Sequence, residues 1–377
     1  MKITGVRAHL LKPRQRGAEA ENEGLVRIFT DEGIEGNSVV SSASADELVR
    51  LFGAEGFGRL IGSELREKRE EKLIGSDPFF REKIEKSIGS QYFWHPLSNE
   101  VLCALDECLW DIAGKALKLP VYKLLGAYRD RILAYASTPN YEKERDYIDL
   151  VAECQEKGFK AIKIHPYRHW KRDIALCKSI REAVGEETTL MLDPFAAYAQ
   201  DEALKVGREI QKLDFYWYED PIPTADVDCL QDLCASLDIP ILMGEHLTSL
   251  SQYGEYIRSH ATDALRCVDI RVGGITAMMK VAHLAESFGM KCEPHSWGSP
   301  ITQAAHLHVM LAIRNCDFFE LPVPEGIFDR GVRNAIRIDD NGYVHGPAEN
   351  GLGINMCEVL SACNLSSRRR PRPTTTS

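Results

Sequence analysis

A chain of 377 residues with 44% hydrophobic and 27% charged residues exceeds a single ordinary core and is too evenly mixed for a disordered or membrane-spanning protein. A formal net charge of −10 argues against nucleic acid and anionic membranes as partners, and no apolar run approaches the roughly 18 residues of a membrane span. The eleven cysteines are odd in number and include no Cys-x-x-Cys pair, which suits buried thiols in a reducing cytoplasm better than a disulfide framework, and the opening Met1-Lys2-Ile3 lacks a signal-peptide pattern.

In chain order, residues 1 to about 40 read as a strand meander, with an alternating run from Leu25 to Thr30 before the turn Asp31-Glu32-Gly33. From about 45 to 125 the pattern is helical: Ser44 and Asp46 open one helix, and Ser98 to Lys115 forms another with apolar residues at helical spacing. Residues 1–125 are therefore expected to form an α+β unit. Residues 126–325 alternate strand-like and helix-like segments, which implies parallel strands joined by crossover helices. The candidate strands are Ile132–Ala136, Ala161–His165, Leu190–Asp193, Phe215–Glu219, Ile241–Glu245, Leu265–Ile270, Lys291–His295 and Phe318–Leu321. Eight in series, without a Gly-x-Gly-x-x-Gly turn, predict a closed α/β barrel rather than an open dinucleotide-binding sheet. Residues 326–360, rich in Gly, Asn and Asp, are expected to return to the first unit. Residues 361–377, which include Arg368 to Arg370, read as a disordered basic tail.

Asp193, Glu219 and Glu245 each close an apolar run and stand 26 residues apart. That interval is one strand, one helix and their loops, so the three carboxylates are expected at the same end of three successive strands, the reaction face of such a barrel. Acidic residues also cap helices that follow strands, which accounts for any one of them but poorly for an evenly spaced trio. Three crowded anions call for a divalent cation, and all-oxygen ligation suits Mg²⁺.

Several separated motifs stand in order along the chain: Ala104-Leu-Asp-Glu-Cys-Leu-Trp-Asp-Ile-Ala-Gly-Lys115, Leu124-Leu-Gly126, Gly158-Phe-Lys-Ala-Ile-Lys163-Ile-His165, the three acids, Gly273-Gly-Ile-Thr276 and Pro294-His-Ser-Trp-Gly298. With this set the chain resembles the enolase superfamily, in the mandelate racemase and muconate-lactonizing enzyme branch, and is most like its acid-sugar dehydratases. The resemblance implies a modified TIM barrel, (β/α)₇β, under an N-terminal α+β capping domain, one Mg²⁺ on Asp193, Glu219 and Glu245, and removal of the proton α to a carboxylate to give an enediolate. It also implies a homo-oligomer, and substrate specificity in the capping loop from Arg14 to Glu23. Lys163 and His165 lie two apart on one candidate strand and project to the same face. Relatives commonly carry Lys-x-Lys there; here His165 takes the place of the base, with Lys163 as electrostatic helper. His295 ends the seventh strand and would face the other side of the substrate. The acid that orients such a histidine in relatives is expected at Val268, whereas this chain has Asp269, one residue out of phase. Glu320 matches a position that hydrogen-bonds the enediolate in some relatives. Asp220 and His246 adjoin the metal acids, and Trp94, His95, Tyr167, Arg168 and His169 are candidate substrate contacts, although polar loop residues need no functional reason.

Three functions are compatible with these residues. The first is a Mg²⁺-dependent hydro-lyase that dehydrates an acid sugar, a small-molecule carboxylate, to a 2-keto-3-deoxy product. The second is a racemase, epimerase or cycloisomerase of a hydroxy acid, because bases on two faces serve that chemistry equally. The third is a sugar-acid-binding homologue that has lost catalysis, suggested by the altered Lys-x-Lys.

Overall fold

The structure, a computed structural model, describes residues 1–11, 23–52, 71–90, 97–329 and 332–354. Trp94, His95, most of the capping loop that begins at Arg14, and the basic tail lie outside the described residues.

The N-terminal strands β1 (Ile3–Leu11), β2 (Glu23–Thr30) and β3 (Glu35–Val40) form an antiparallel sheet in that order. One face of it packs against the helix Asn99–Leu117, which starts where Ser98 Oγ accepts the Val101 N–H at 3.3 Å and stops where Lys118 turns left-handed. The contact is close enough to demand glycine on the sheet: a Cβ at Gly36 would fall 2.0 Å from the Cys108 carbonyl oxygen. The helix is buried from Cys103 to Gly114 because it lies between this sheet and the second unit. Its acids are accordingly partnered across the joint. Asp106 accepts from Thr276 N at 2.9 Å, and Asp111 accepts from Asn37 N at 3.1 Å and Leu352 N at 3.0 Å.

Eight parallel strands follow: β4 (Arg131–Ser137), β5 (Ala161–Ile164), β6 (Thr189–Leu192), β7 (Phe215–Glu219), β8 (Ile241–Met243), β9 (Ala264–Leu265), β10 (Lys291–Cys292) and β11 (Phe318–Pro322). They pair in the order β10-β9-β8-β7-β6-β5-β4-β11, with crossover helices between them, and β12 (Tyr343–His345) adds antiparallel to β4. The fold is thus the curled parallel sheet with helices and an antiparallel N-terminal cap that the sequence predicts. Between β10 and β11 a side chain does part of the joining: the buried Glu293 carboxylate accepts the Asp317 N–H at 2.8 Å and the Phe318 N–H at 3.3 Å.

The sixth candidate strand is shorter than expected. Only Ala264 and Leu265 pair, and Asp269–Val272 is a single helical turn whose Asp269 carbonyl accepts from Gly273 and Gly274, both at positive φ. The paired glycines let the chain curl immediately after the strand, so Asp269 opens a helix instead of extending a ladder.

Strand alternation explains where the charges of the barrel lie. Tyr135, Ala161, Met191, Trp217, Leu242, Ala264 and Phe318 contact one another as an apolar plug inside the curl. Two residues further along six of these seven strands stand Ser137, Lys163, Asp193, Glu219, Arg266 and Glu320, which must therefore form a polar layer directly above the plug. On β8 the corresponding residue is Gly244, at φ +123°, where a Cβ would meet the Arg266 carbonyl oxygen at 2.7 Å; the acid there is Glu245 instead.

Glu293 yields a prediction about stability. Burial, reinforced by Asp317, pushes its carboxyl up to about 7 against the opposing N–H donors. An acid raised on folding contributes stability that is complete below its unfolded value, near 4.3, and is lost as pH climbs through the folded value. Urea midpoints of the wild type should therefore fall by about 3 kcal/mol equivalent between roughly pH 4.5 and 7 relative to Glu293→Gln, which lacks the titrating group. Parallel pH profiles for the two proteins would refute this.

Candidate functional site

The polar layer carries an excess of acid. Lys163 Nζ lies 3.0 Å from Glu219 Oε1, 3.0 Å from Glu320 Oε1 and 3.5 Å from Asp193 Oδ2. Arg266 Nε lies 2.7 Å from Glu219 Oε1 and 3.5 Å from Glu245 Oε2, while its Nη2 contacts Glu320 Oε2 and donates to Tyr135 OH at 3.2 Å. Both cations are buried. Burial and Arg266 favour loss of the Lys163 proton, but Glu219 and Glu320 prevail and hold its pKa well above the ordinary lysine value. Lys163 is therefore a fixed cation. Arg266 is likewise held charged by Glu219 and Glu320 against its own burial.

The histidines face the same layer from above. His165 Nδ1 contacts the Thr138 carbonyl oxygen, so that nitrogen carries a proton, and Nε2 faces Asp193 Oδ2 at 3.1 Å. Phe195 stacks on the imidazole with centroids 4.5 Å apart, and Trp297 meets it edge-on at 5.7 Å. His295 Nδ1 accepts the Trp297 N–H at 3.3 Å, which leaves the proton of a neutral ring on Nε2. Burial lowers the His295 pKa to about 4, with Glu320 opposing, so this ring is neutral at pH 7. Asp269 does not orient it: that carboxylate is 3.3 Å from His306 Nε2, as follows from the helical turn that took Asp269 out of the strand.

Glu320 is buried with Ser137 Oγ donating to it at 2.8 Å and Ser296 N at 2.9 Å. Burial alone would raise its pKa, but Arg266, then Lys163 and His295, hold it well below the ordinary carboxylate range, so it is an anion and not a neutral donor. Of the three loop residues, Arg168 places its guanidinium 4.4 Å from the Phe195 ring centroid, beside His165. Tyr167 instead packs edge-on against Tyr147, and the His169 N–H is bound to Asp173 at the start of the next helix. Four non-glycine residues at this end of the barrel have positive φ: Arg168 (64°), Phe195 (56°), Ala196 (56°) and Asp220 (35°). Such backbone is costly and tends to gather at functional sites.

Asp193, Glu219 and Glu245 all reach this layer, yet their side chains are drawn to two cations rather than to one point. Asp193 Oδ1 accepts the Phe195 N–H at 2.9 Å while Oδ2 faces Lys163 and His165. The donor atoms that lie within 4.8 Å of one another here are those of Asp220, Glu245 and His246. The chemistry of the donor set nonetheless fits a hard divalent ion. Five carboxylates, those of Asp193, Glu219, Asp220, Glu245 and Glu320, face two fixed cations. Both Asp220 oxygens are buried without a hydrogen-bond partner, and burial together with Glu245, Asp193 and Glu219 raises that carboxyl well above its ordinary value.

Arg266, Thr138 and Phe195 were not singled out from the sequence, and Trp297 entered only as part of the motif Pro294 to Gly298. Arg266 had a usable signal, being a lone charge two residues after an inward-facing alanine of an apolar strand. The others are recognisable only through their contacts with the two histidines.

Residues 16–126 match the family model described as mandelate racemase / muconate lactonizing enzyme, N-terminal domain, and residues 146–360 match that of the enolase C-terminal domain-like family. The chain is 33% identical over 332 residues to arabinonate dehydratase of Saccharolobus solfataricus, spanning 83% of this chain and 87% of that protein. It is 29% identical to D-galactarolactone cycloisomerase of Agrobacterium fabrum across 99% of this chain and 100% of the other. Among solved structures it superposes with a TM-score of 0.82 on D-glucarate dehydratase from Agrobacterium tumefaciens complexed with magnesium, at 30% identity, covering 97% of this chain and 99% of that one. Among the described residues no helix is long and apolar enough to cross a membrane. The two family models, the curled parallel sheet beneath its antiparallel cap, and relatives that are lyases and isomerases together identify the chain as an enzyme of the enolase superfamily, in the mandelate racemase and muconate-lactonizing branch.

Proposed function

We propose that this enzyme dehydrates an acid sugar, taking the proton α to the carboxylate and releasing the β-hydroxyl as water to leave a 2-keto-3-deoxy acid. The observation that carries the reading is the opposed state of two histidines. His165 spends its Nδ1–H on Thr138 and turns Nε2 to the Asp193 carboxylate at 3.1 Å, which leaves Nε2 as the position where it can exchange a proton, whereas His295 accepts at Nδ1 and offers an Nε2–H. Once Asp193 is engaged elsewhere, one ring can take a proton at Nε2 while the other gives a hydrogen bond to the leaving oxygen.

Lys163 supplies a permanent positive charge beside the developing enediolate, stabilising the transition state more than the substrate. His165 abstracts the α proton at Nε2 when Asp193 no longer engages that atom, and Thr138 and Phe195 fix the plane of its ring. His295 hydrogen-bonds the departing hydroxyl through Nε2–H and keeps that proton; the proton that completes the water is the one His165 took from the α carbon, returned through solvent. Trp297 links the two, because its backbone orients His295 and its ring edge meets His165. A divalent ion on Asp193, Glu219 and Glu245, with Asp220 beside them, would supply further positive charge next to the substrate carboxylate and increase the acidity of the α carbon.

The test is incubation with a library of aldonic and aldaric acids in the presence of Mg²⁺, scored for 2-keto acids by semicarbazone absorbance. One or a few stereoisomers should give product. α-Deuterium incorporation from D₂O without water loss would select a racemase or epimerase instead, lactone consumption without keto-acid formation a cycloisomerase, and silence toward every stereoisomer would end the dehydratase reading.

A further inference from the structure

Arg266 is the charged residue of the polar layer that the proposed chemistry leaves unused. It is fully buried, and its guanidinium touches two of the three acids assigned to the ion, Glu219 at 2.7 Å and Glu245 at 3.5 Å. Its far end is held separately, by Glu320 and by the Tyr135 hydroxyl at 3.2 Å. Nε contacts Glu219 as a charge only, since its N–H is not directed at any acceptor. The guanidinium is therefore anchored at Nη2, with a longer bond from Nη1 to the Glu293 carbonyl at 3.4 Å, while Nε meets Glu219 as a close charge contact without a directed hydrogen bond.

We propose that Arg266 is an internal competitor of the divalent ion: it neutralises Glu219 and Glu245 in the ion-free protein, must swing off them for the ion to bind, and so weakens the enzyme's hold on its metal. The inference rests on the reading of Asp193, Glu219 and Glu245 as ion ligands. An ion at bonding distance from the Glu219 and Glu245 oxygens and a guanidinium nitrogen near the same oxygens would place like charges in contact within a buried site, where water screens them little. Lys163 also touches Glu219, but its compact ammonium on a flexible stem has Glu320 at 3.0 Å and Asp193 at 3.5 Å to turn toward, whereas the bulkier guanidinium spans both Glu219 and Glu245. The anchored Nη2 supplies the pivot: with Glu320 and Tyr135 retained, Nε can leave Glu219 without Arg266 quitting the layer. The two states of the residue then match the two states of the site, since Arg266 compensates the acids when the ion is absent and pairs with Glu320 when it is present.

The experiment is calorimetric titration of the full-length protein with Mn²⁺, comparing wild type with Arg266→Met and Arg266→Lys. Arg266→Met should bind Mn²⁺ at least about tenfold more tightly than wild type, with Arg266→Lys in between. Equal or weaker binding by a folded Arg266→Met, or no binding by either protein, overturns the proposal. Should neither variant fold, a crystal structure of wild type with Mn²⁺ decides: Nε withdrawn from Glu219 supports it, and Nε still 2.7 Å from Glu219 with Mn²⁺ on that carboxylate overturns it. Failure of the dehydratase reading would appear separately, as absent turnover across the acid-sugar library, and leaves the Mn²⁺ comparison intact.

Discussion

Lys163→Met is expected to destabilise the protein by about 3–5 kcal/mol in urea unfolding, the cost typical of removing one partner from a buried ion cluster. The ammonium contacts Asp193, Glu219 and Glu320 with its side chain only 1% exposed, so an apolar replacement leaves three carboxylates facing one another with Arg266 alone to offset them. Mg²⁺ should restore part of the loss, because an ion bound only by the folded state stabilises it in proportion to the logarithm of its concentration over Kd. An unchanged urea midpoint, with or without Mg²⁺, would show that the acids are not mutually repelling and would remove the electrostatic basis of the site. The same variant should turn over far more slowly even where it folds, since the charge placed beside the enediolate has gone.

His165→Asn is expected to lower kcat by roughly 10²–10⁴ while the protein stays folded and still binds Mn²⁺, with only a modest fall in urea midpoint. The carboxamide can still donate to the Thr138 carbonyl, and the loss is confined to the stack on Phe195 and the edge contact with Trp297. It has no basic nitrogen. Exchange of the substrate α proton with D₂O, measured by NMR, should therefore cease along with product formation. Exchange continuing at the wild-type rate in this variant would assign the base elsewhere, His295 being the nearest alternative, and would reverse the roles proposed for the two rings.

Much of the fold is legible in the amino-acid order because strand and helix periods differ. The apolar runs ending at Asp193 and Glu219 become β6 and β7, and a period of two on those strands puts each acid above the inward-facing Met191 and Trp217. The same arithmetic applied to Ala264 reaches Arg266. The run Leu265–Ile270 misled only in length, because hydrophobicity continues through Val268 while the backbone is already being turned by Gly273 and Gly274. That turn carries Asp269 to His306 and leaves His295 to take its orientation from the Trp297 N–H.

The strands that carry Lys163, Asp193 and Glu219, and the face these residues share, were legible from spacing, since alternation is a local property of extended backbone. How those residues share their charges depended on the curl of the sheet. Residues from strands far apart in sequence, such as Arg266 and Glu320 or Lys163 and Glu219, meet only when the sheet curls. In a buried layer it is these distances, through the Coulomb energy, that decide which acid is ionised, which histidine nitrogen carries its proton, and which cation stands where an ion must enter.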